Sequence, residues 1–178
     1  NTTDFVVARL LEDGTPDPNF GQDGLVTIDV DGWDDLGGYM LLSPLDNKIL
    51  IAGVSFNGFT SHSTVARLIP SGMPDNSFDS DGKLSVLIGD SPFSGLDKIV
   101  MQADKILTMG WASSGTSRPI ALARFTEAGE IDNTFGSNGT FFIDPHPTLG
   151  AVGSALSVSP AGKIIVVGIV PYLSSQDG

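Results

Sequence analysis

The sequence predicts an all-β fold, β-propeller-like, built from three repeats of about 57 residues with four antiparallel strands each. Three observations carry that prediction. The chain of 178 residues is internally triplicated, its short apolar runs are punctuated by 22 Gly and 11 Pro, and no apolar period of 3.6 residues is sustained for the length of a helix.

The triplet Ala8-Arg9-Leu10 returns as Ala66-Arg67-Leu68 and as Ala123-Arg124-Phe125, at spacings of 58 and 57 residues. Gly14, Gly72 and Gly129 keep step with it. So do Asp17, Asp75 and Asp132, then Phe20, Phe78 and Phe135, then Gly24, Gly82 and Gly139. Lys48, Lys105 and Lys163, each followed by Ile, and Gly53, Gly110 and Gly168 complete the unit. The repeats fall at about 4–60, 61–118 and 119–178 of a single repeat domain covering 1–178.

In the first copy, residues 5–10 read as a strand, and Glu12-Asp13-Gly14 reverses the chain because glycine tolerates positive φ. A loop through Phe20 leads to strands at 25–30, 37–42 and 48–54, the last two joined by a tight turn at Asp46-Asn47. The second copy places strands at 64–69, 83–88, 96–102 and 105–110, and the third at 120–125, 140–143, 155–159 and 163–170. In the 5–10 strand both faces are mainly apolar, Val6, Ala8 and Leu10 on one and Phe5 and Val7 with Arg9 on the other, which predicts a strand sandwiched between sheets. The small Ala8 lets a neighbouring sheet approach. A β-solenoid would have the same need and is the alternative fold.

The pattern Ala-Arg-Leu/Phe, Gly, Asp-x-Asn/Ser/Thr-Phe, Gly, Lys-Ile, Gly resembles the delta-60 repeat family over nearly the whole chain. Asp79 stands where the other copies have Gly21 and Gly136, and Ala161-Gly162 stands in place of Asp46-Asn47. The resemblance implies a propeller-like architecture and tandem repetition in large bacterial proteins, often secreted or surface-associated. It implies no shared activity and transfers no site.

Running inner to outer as 37–42, 48–54, 64–69 and 83–88, a blade would leave its outer strands at one terminus and its inner strands at the other, so one blade is split between the termini. Three blades are fewer than the four to eight of known rings. The expectation is therefore a fragment of a longer array or a symmetric assembly, most simply a homodimer completing a six-bladed ring.

Composition narrows the partners. With 9 Lys plus Arg against 21 Asp plus Glu the formal charge is -12, which repels a phosphate backbone and argues against nucleic acid. There is no cysteine, hence no disulfide or thiolate site, and no apolar run approaches a membrane span, so no membrane insertion is expected. The chain reads as a soluble mature chain or an excised fragment.

The arginines Arg9, Arg67 and Arg124 lie between apolar neighbours and need carboxylates; Asp17, Asp75 and Asp132, each eight residues on, are their natural partners through bidentate pairs. Phe20, Phe78 and Phe135 read as plugs holding the intervening loop on a core. The loops 17–24 and 75–82 alternate oxygen side chains, which makes Asp75, Asp79 and Asp81 weak calcium candidates, although no bidentate Glu follows and Asx-turns explain the same residues. Otherwise no metal or other cofactor is expected. His62 and His146 occupy non-equivalent loops and read as surface residues. Trp33 with Asp34 and Asp35, and Trp111, are the ligand-binding candidates, since an aromatic platform beside carboxylates suits a sugar face and its hydroxyls.

No convergent catalytic set stands out. The leading reading is a non-enzymatic repeat module of a bacterial secreted or surface protein, presenting loops for protein or glycan binding. One alternative is a propeller-type glycan hydrolase or lyase using Asp34, Asp35 or Asp144 as acid and base. Another is a structural spacer in a longer array.

Overall fold

The computed structural model describes residues 2–113, 117–145 and 148–171. Its described residues contain twelve strands and no helix: β1 (Phe5–Ala8), β2 (Leu25–Ile28), β3 (Asp34–Leu42), β4 (Ile49–Phe56), β5 (Ser61–Leu68), β6 (Lys83–Val86), β7 (Ser94–Gln102), β8 (Lys105–Ala112), β9 (Ile120–Phe125), β10 (Thr140–Ile143), β11 (Val152–Val158) and β12 (Ile164–Ile169). No helix of these residues is long and apolar enough to cross a membrane.

The strands form four antiparallel sheets. Two are complete, in the orders β3-β4-β5-β6 and β7-β8-β9-β10, and two are pairs, β1-β2 and β11-β12. Three apolar clusters join them into a stack. Phe5, Phe20 and Ile28 pack from the first pair onto Ile49, Ile51, Ala66 and Leu68. Leu50, Ala52 and Val65 meet Leu96, Ile106 and Ala123 between the two complete sheets. Met109, Ile120 and Leu122 carry Leu156 and Val166 of the last pair.

Two expectations about the first strands are corrected. β1 stops at Ala8: Arg67 makes the same loop bonds as Arg9, but β4 pairs with it and carries β5 on to Leu68, whereas β1 has no strand on that side among the described residues. β1 is also not sandwiched: Phe5 is buried but Val6 is 69% exposed, since no sheet covers the outer face of this pair. The counterpart β5, which has a sheet on each side, buries Val65, Ala66, Arg67 and Leu68. β3 begins three residues earlier than its sequence suggests. Thr3 exchanges backbone bonds there, its N–H donating to Asp34 Oδ1 at 2.9 Å and its C=O accepting from Asp35 N at 2.6 Å, so Asp34 and Asp35 are strand residues.

Each of the hairpins β3-β4, β7-β8 and β11-β12 carries a register shift at the same point, between Gly37 and Tyr39, Leu96 and Lys98, and Gly153 and Ala155. The extra residues are Gly38, Asp97 and Ser154. A bulge interrupts the ladder and re-aims the side chain of the residue it inserts, and here it falls on the strand at the edge of each sheet.

Candidate functional site

The residues that recur are occupied with the scaffold. Arg9 Nε donates to Asp17 Oδ2 at 2.8 Å, Arg67 Nε to Asp75 Oδ2 at 2.7 Å and Arg124 Nε to Asp132 Oδ2 at 2.8 Å. The bidentate geometry anticipated for these pairs is absent. The second oxygen of each aspartate closes an Asx-turn, accepting from the backbone N–H of Asn19, Ser77 or Thr134. The guanidinium spreads its other donors instead. Nη2 reaches Asn19 O, Ser77 Oγ or Thr134 Oγ1, while Nη1 of Arg9 donates to Pro70 O and Nη1 of Arg67 to Glu127 O, each in the turn of the following sheet. Arg124 Nη1 turns to Gln102 Oε1 at 2.9 Å. Each guanidinium also lies over a phenylalanine, 4.7 Å from Phe20, 4.8 Å from Phe78 and 4.9 Å from Phe135.

Burial alone would raise the Asp75 carboxyl, but bonds from Ser77 and Lys48 and the charge of Arg67 outweigh it and hold it well below the ordinary carboxylate range. Asp17 is lowered chiefly by the Asn19 N–H, and Asp132 by the Thr134 hydroxyl. The calcium candidates Asp75, Asp79 and Asp81 do not form a group of mutually close carboxylate oxygens, and Asp75 is bonded to Arg67, Lys48 and Ser77. Among the described residues the acidic group with mutually close oxygens is Asp4, Asp29 and Asp35, within 4.8 Å of one another, a grouping that no local spacing anticipates. Asp35 is committed within that group: Oδ1 accepts from Ser55 Oγ at 2.5 Å and Oδ2 from Val30 N at 2.9 Å. Burial raises the Asp35 carboxyl despite these bonds.

Trp33 sits edge-on to His62, ring centroids 4.8 Å apart, and His62 Nδ1 in turn lies 3.2 Å from Ser85 Oγ. Asp144 accepts from Ser117 Oγ at 3.0 Å. Asp144 borders a hollow of about 380 Å³ lined also by Asp90 and Phe142. His146 lies outside the described residues.

Trp111 belongs elsewhere. It faces Gly95 across the β7-β8 ladder, and a side chain at 95 would meet Val54 Cγ2 at 2.3 Å and the indole Nε1 at 3.0 Å, so the glycine makes room for both. Here the two complete sheets leave a groove of about 390 Å³, lined by Tyr39, Val54, Ser61, Leu96, Asp97 and Trp111 among others. Trp33, Asp34 and Asp35 do not reach it, so the structure separates the two tryptophan candidates. Lys98 Nζ lies 4.0 Å from the Tyr39 ring centroid, and the Arg118 guanidinium 3.8 Å from that of Trp111. Asp97, the bulged residue, is half-buried; burial raises its carboxyl, opposed by the charges of Lys98 and Arg118. Ser61 is 6% exposed, and its buried hydroxyl has no hydrogen-bond partner. Sequence reading missed Asp97 and Ser61. No local signal marked them: the bulge recurs at the same point in each copy, and the two-residue difference between the Gly37–Gly53 and Leu96–Gly110 spacings lies in the hairpin turn.

A family model described as "Domain of unknown function (DUF5122) beta-propeller" matches residues 1–20, 45–78 and 102–135. The matched segments take in the Arg-Asp-Phe element of each copy and support a propeller-like repeat family. No curated protein and no solved structure matches the chain.

Proposed function

We propose that the chain is a non-enzymatic binding module of a bacterial secreted or surface protein, holding a protein or glycan without chemically changing it. One observation carries this reading: the carboxylates that acid-base chemistry would require each hold a structural bond, and the hollow that Asp144 borders is lined by neither Asp34 nor Asp35. Both oxygens of Asp35 accept internal bonds, Asp34 takes the Thr3 N–H and Asp144 takes the Ser117 hydroxyl. A glycosidase pair needs two carboxyl groups free to flank one bond. The repeated residues build the frame, and positions that differ between copies are left to meet a partner. Surface placement rests on the resemblance to the delta-60 repeats. A glycan array run beside an assay for released reducing ends tests the reading: retention without release supports it, and release favours the hydrolase or lyase.

The open edges support a second copy as a partner. Among the described residues, β4 and β8 each pair with a following outer strand, whereas β12 pairs only with β11; β5 and β9 each pair with a preceding inner strand, whereas β1 pairs only with β2. The strand each edge lacks is of the kind the other supplies. Ile165, Val167 and Ile169, alternating along β12, are also exposed on an uncovered face. Two copies joined head to tail in both directions would close six four-stranded blades.

A further inference from the structure

We propose that the groove between the two complete sheets binds a neutral hexopyranose unit, with Asp97 accepting from sugar hydroxyls, Ser61 and the Trp111 indole N–H donating, and Tyr39 and Trp111 framing the apolar ring face. The inference rests on the binding-module reading and gives it a site and a ligand class. The groove, at about 390 Å³, falls in the range of small-molecule sites, roughly 300–1,000 Å³.

The polar groups on its wall single out the guest. A buried hydroxyl without a partner is costly and uncommon in a finished fold, and Ser61 Oγ is the one buried side-chain polar atom among the described residues in that condition. A hydrocarbon guest would leave it and Asp97 unpaired. An anion would meet the Asp97 carboxylate in a chain of net charge -12. A cation would be repelled by Lys98 and Arg118, which lie over the same two rings without lining the groove. An added peptide strand needs an unbroken row of backbone groups, and the bulges at Gly38 and Asp97 interrupt both β3 and β7. A neutral polyhydroxylated ring with one apolar face satisfies every group on this wall.

The chain has two tryptophans, so a Trp33→Phe background makes Trp111 the sole indole reporter. In that background the protein is titrated with methyl hexopyranosides, cellohexaose, mannohexaose and a neutral hexapeptide, following fluorescence. A saturable change with a hexose ligand is expected, weakened at least about tenfold by Asp97→Ala and several-fold by Ser61→Ala. Ser61→Ala removes an unpartnered hydroxyl, so its melting temperature should not fall, which separates lost binding from lost folding. Sugar binding that both variants leave unchanged would overturn the groove assignment while the module reading stands. Release of reducing ends would instead overturn the module reading. Binding of the peptide alone, or of no sugar, would overturn the ligand class.

Discussion

Phe78 is seated against Gly129 of the following sheet: a Cβ at position 129 would lie 3.1 Å from the Phe78 ring, and the Asp79 N–H beside it donates to Ala128 O at 2.8 Å. Phe20 stands in the same relation to Gly72, with the Gly21 N–H donating to Ser71 O at 2.9 Å. The stack is thus held by its loops as well as by its apolar sheets.

The glycines of this turn form a natural series. Gly14, Gly72 and Gly129 share φ values of +84°, +91° and +90°, but a Cβ at 14 meets nothing, one at 72 meets Val26 at 2.8 Å and Gly21 N at 3.0 Å, and one at 129 meets Phe78. Alanine at 14 should cost only the left-handed strain, about 1–2 kcal/mol. Alanine at 72 should add an overpacking penalty of roughly 1–3 kcal/mol. Chemical denaturation of the three variants should rank Gly72→Ala lowest in stability, then Gly129→Ala, then Gly14→Ala.

A second series separates buried from exposed ion pairs. The Arg67 side chain is 4% exposed, that of Arg124 18% and that of Arg9 35%. Asp75→Asn leaves a buried guanidinium without its anion and should cost about 3 kcal/mol, lowering the melting temperature by roughly 6–12 °C in a domain of this size. Asp132→Asn should have a smaller effect and Asp17→Asn the smallest, because water can reach the abandoned arginine. Calorimetry that ranks them otherwise would refute the burial argument.

Stability should also depend on pH in two opposed ways. The carboxyls of Asp17, Asp75 and Asp132 are lowered in the folded chain, so their contribution is fully present above the ordinary value of 3.8 and is lost as pH falls through their folded values. Those of Asp35 and Asp97 are raised, so protonating them on mild acidification relieves a cost. The melting temperature should therefore hold or rise from about pH 7 to about pH 5 and fall steeply below about pH 3.5. In Asp97→Asn the mild-acid gain should shrink and the steep fall remain.

Sedimentation tests the proposed head-to-tail assembly. The expected outcome is a concentration-dependent mass reaching twice that of the chain, abolished by Val167→Lys on the exposed face of β12. A compact monomer at every concentration would rule the assembly out.

Strand positions were legible in the sequence because turn chemistry brackets them: each of the twelve overlaps its expected segment, although β3, β5, β7 and β11 begin two or three residues earlier and β1, β2 and β6 end two residues sooner. The partnership of Arg67 with Asp75 was legible from spacing, but the way its remaining donors divide was not, since the carbonyl of Glu127 belongs to a segment sixty residues away. Asp34 and Asp35 looked like groups available to a ligand beside Trp33. Their commitment depends on how the segment before β1 lies along β3 for Thr3, on the chain leaving β2 for Val30 and on the β3-β4 register for Ser55, which no local pattern encodes. The groove was hidden for a similar reason: Ser61 and Asp97 have no distinguishing neighbours in the chain and meet only when two sheets pack.

Arg9 reaches ahead to Pro70 and Arg67 ahead to Glu127, while Arg124 passes its bond to Gln102, whose amide donates onward to Gly162 O. The coupling has a direction. As the polypeptide is synthesised, a guanidinium already paired with its own aspartate lacks one carbonyl until about sixty further residues have emerged, so Arg9 and Arg67 complete their bonds only with the layer that follows.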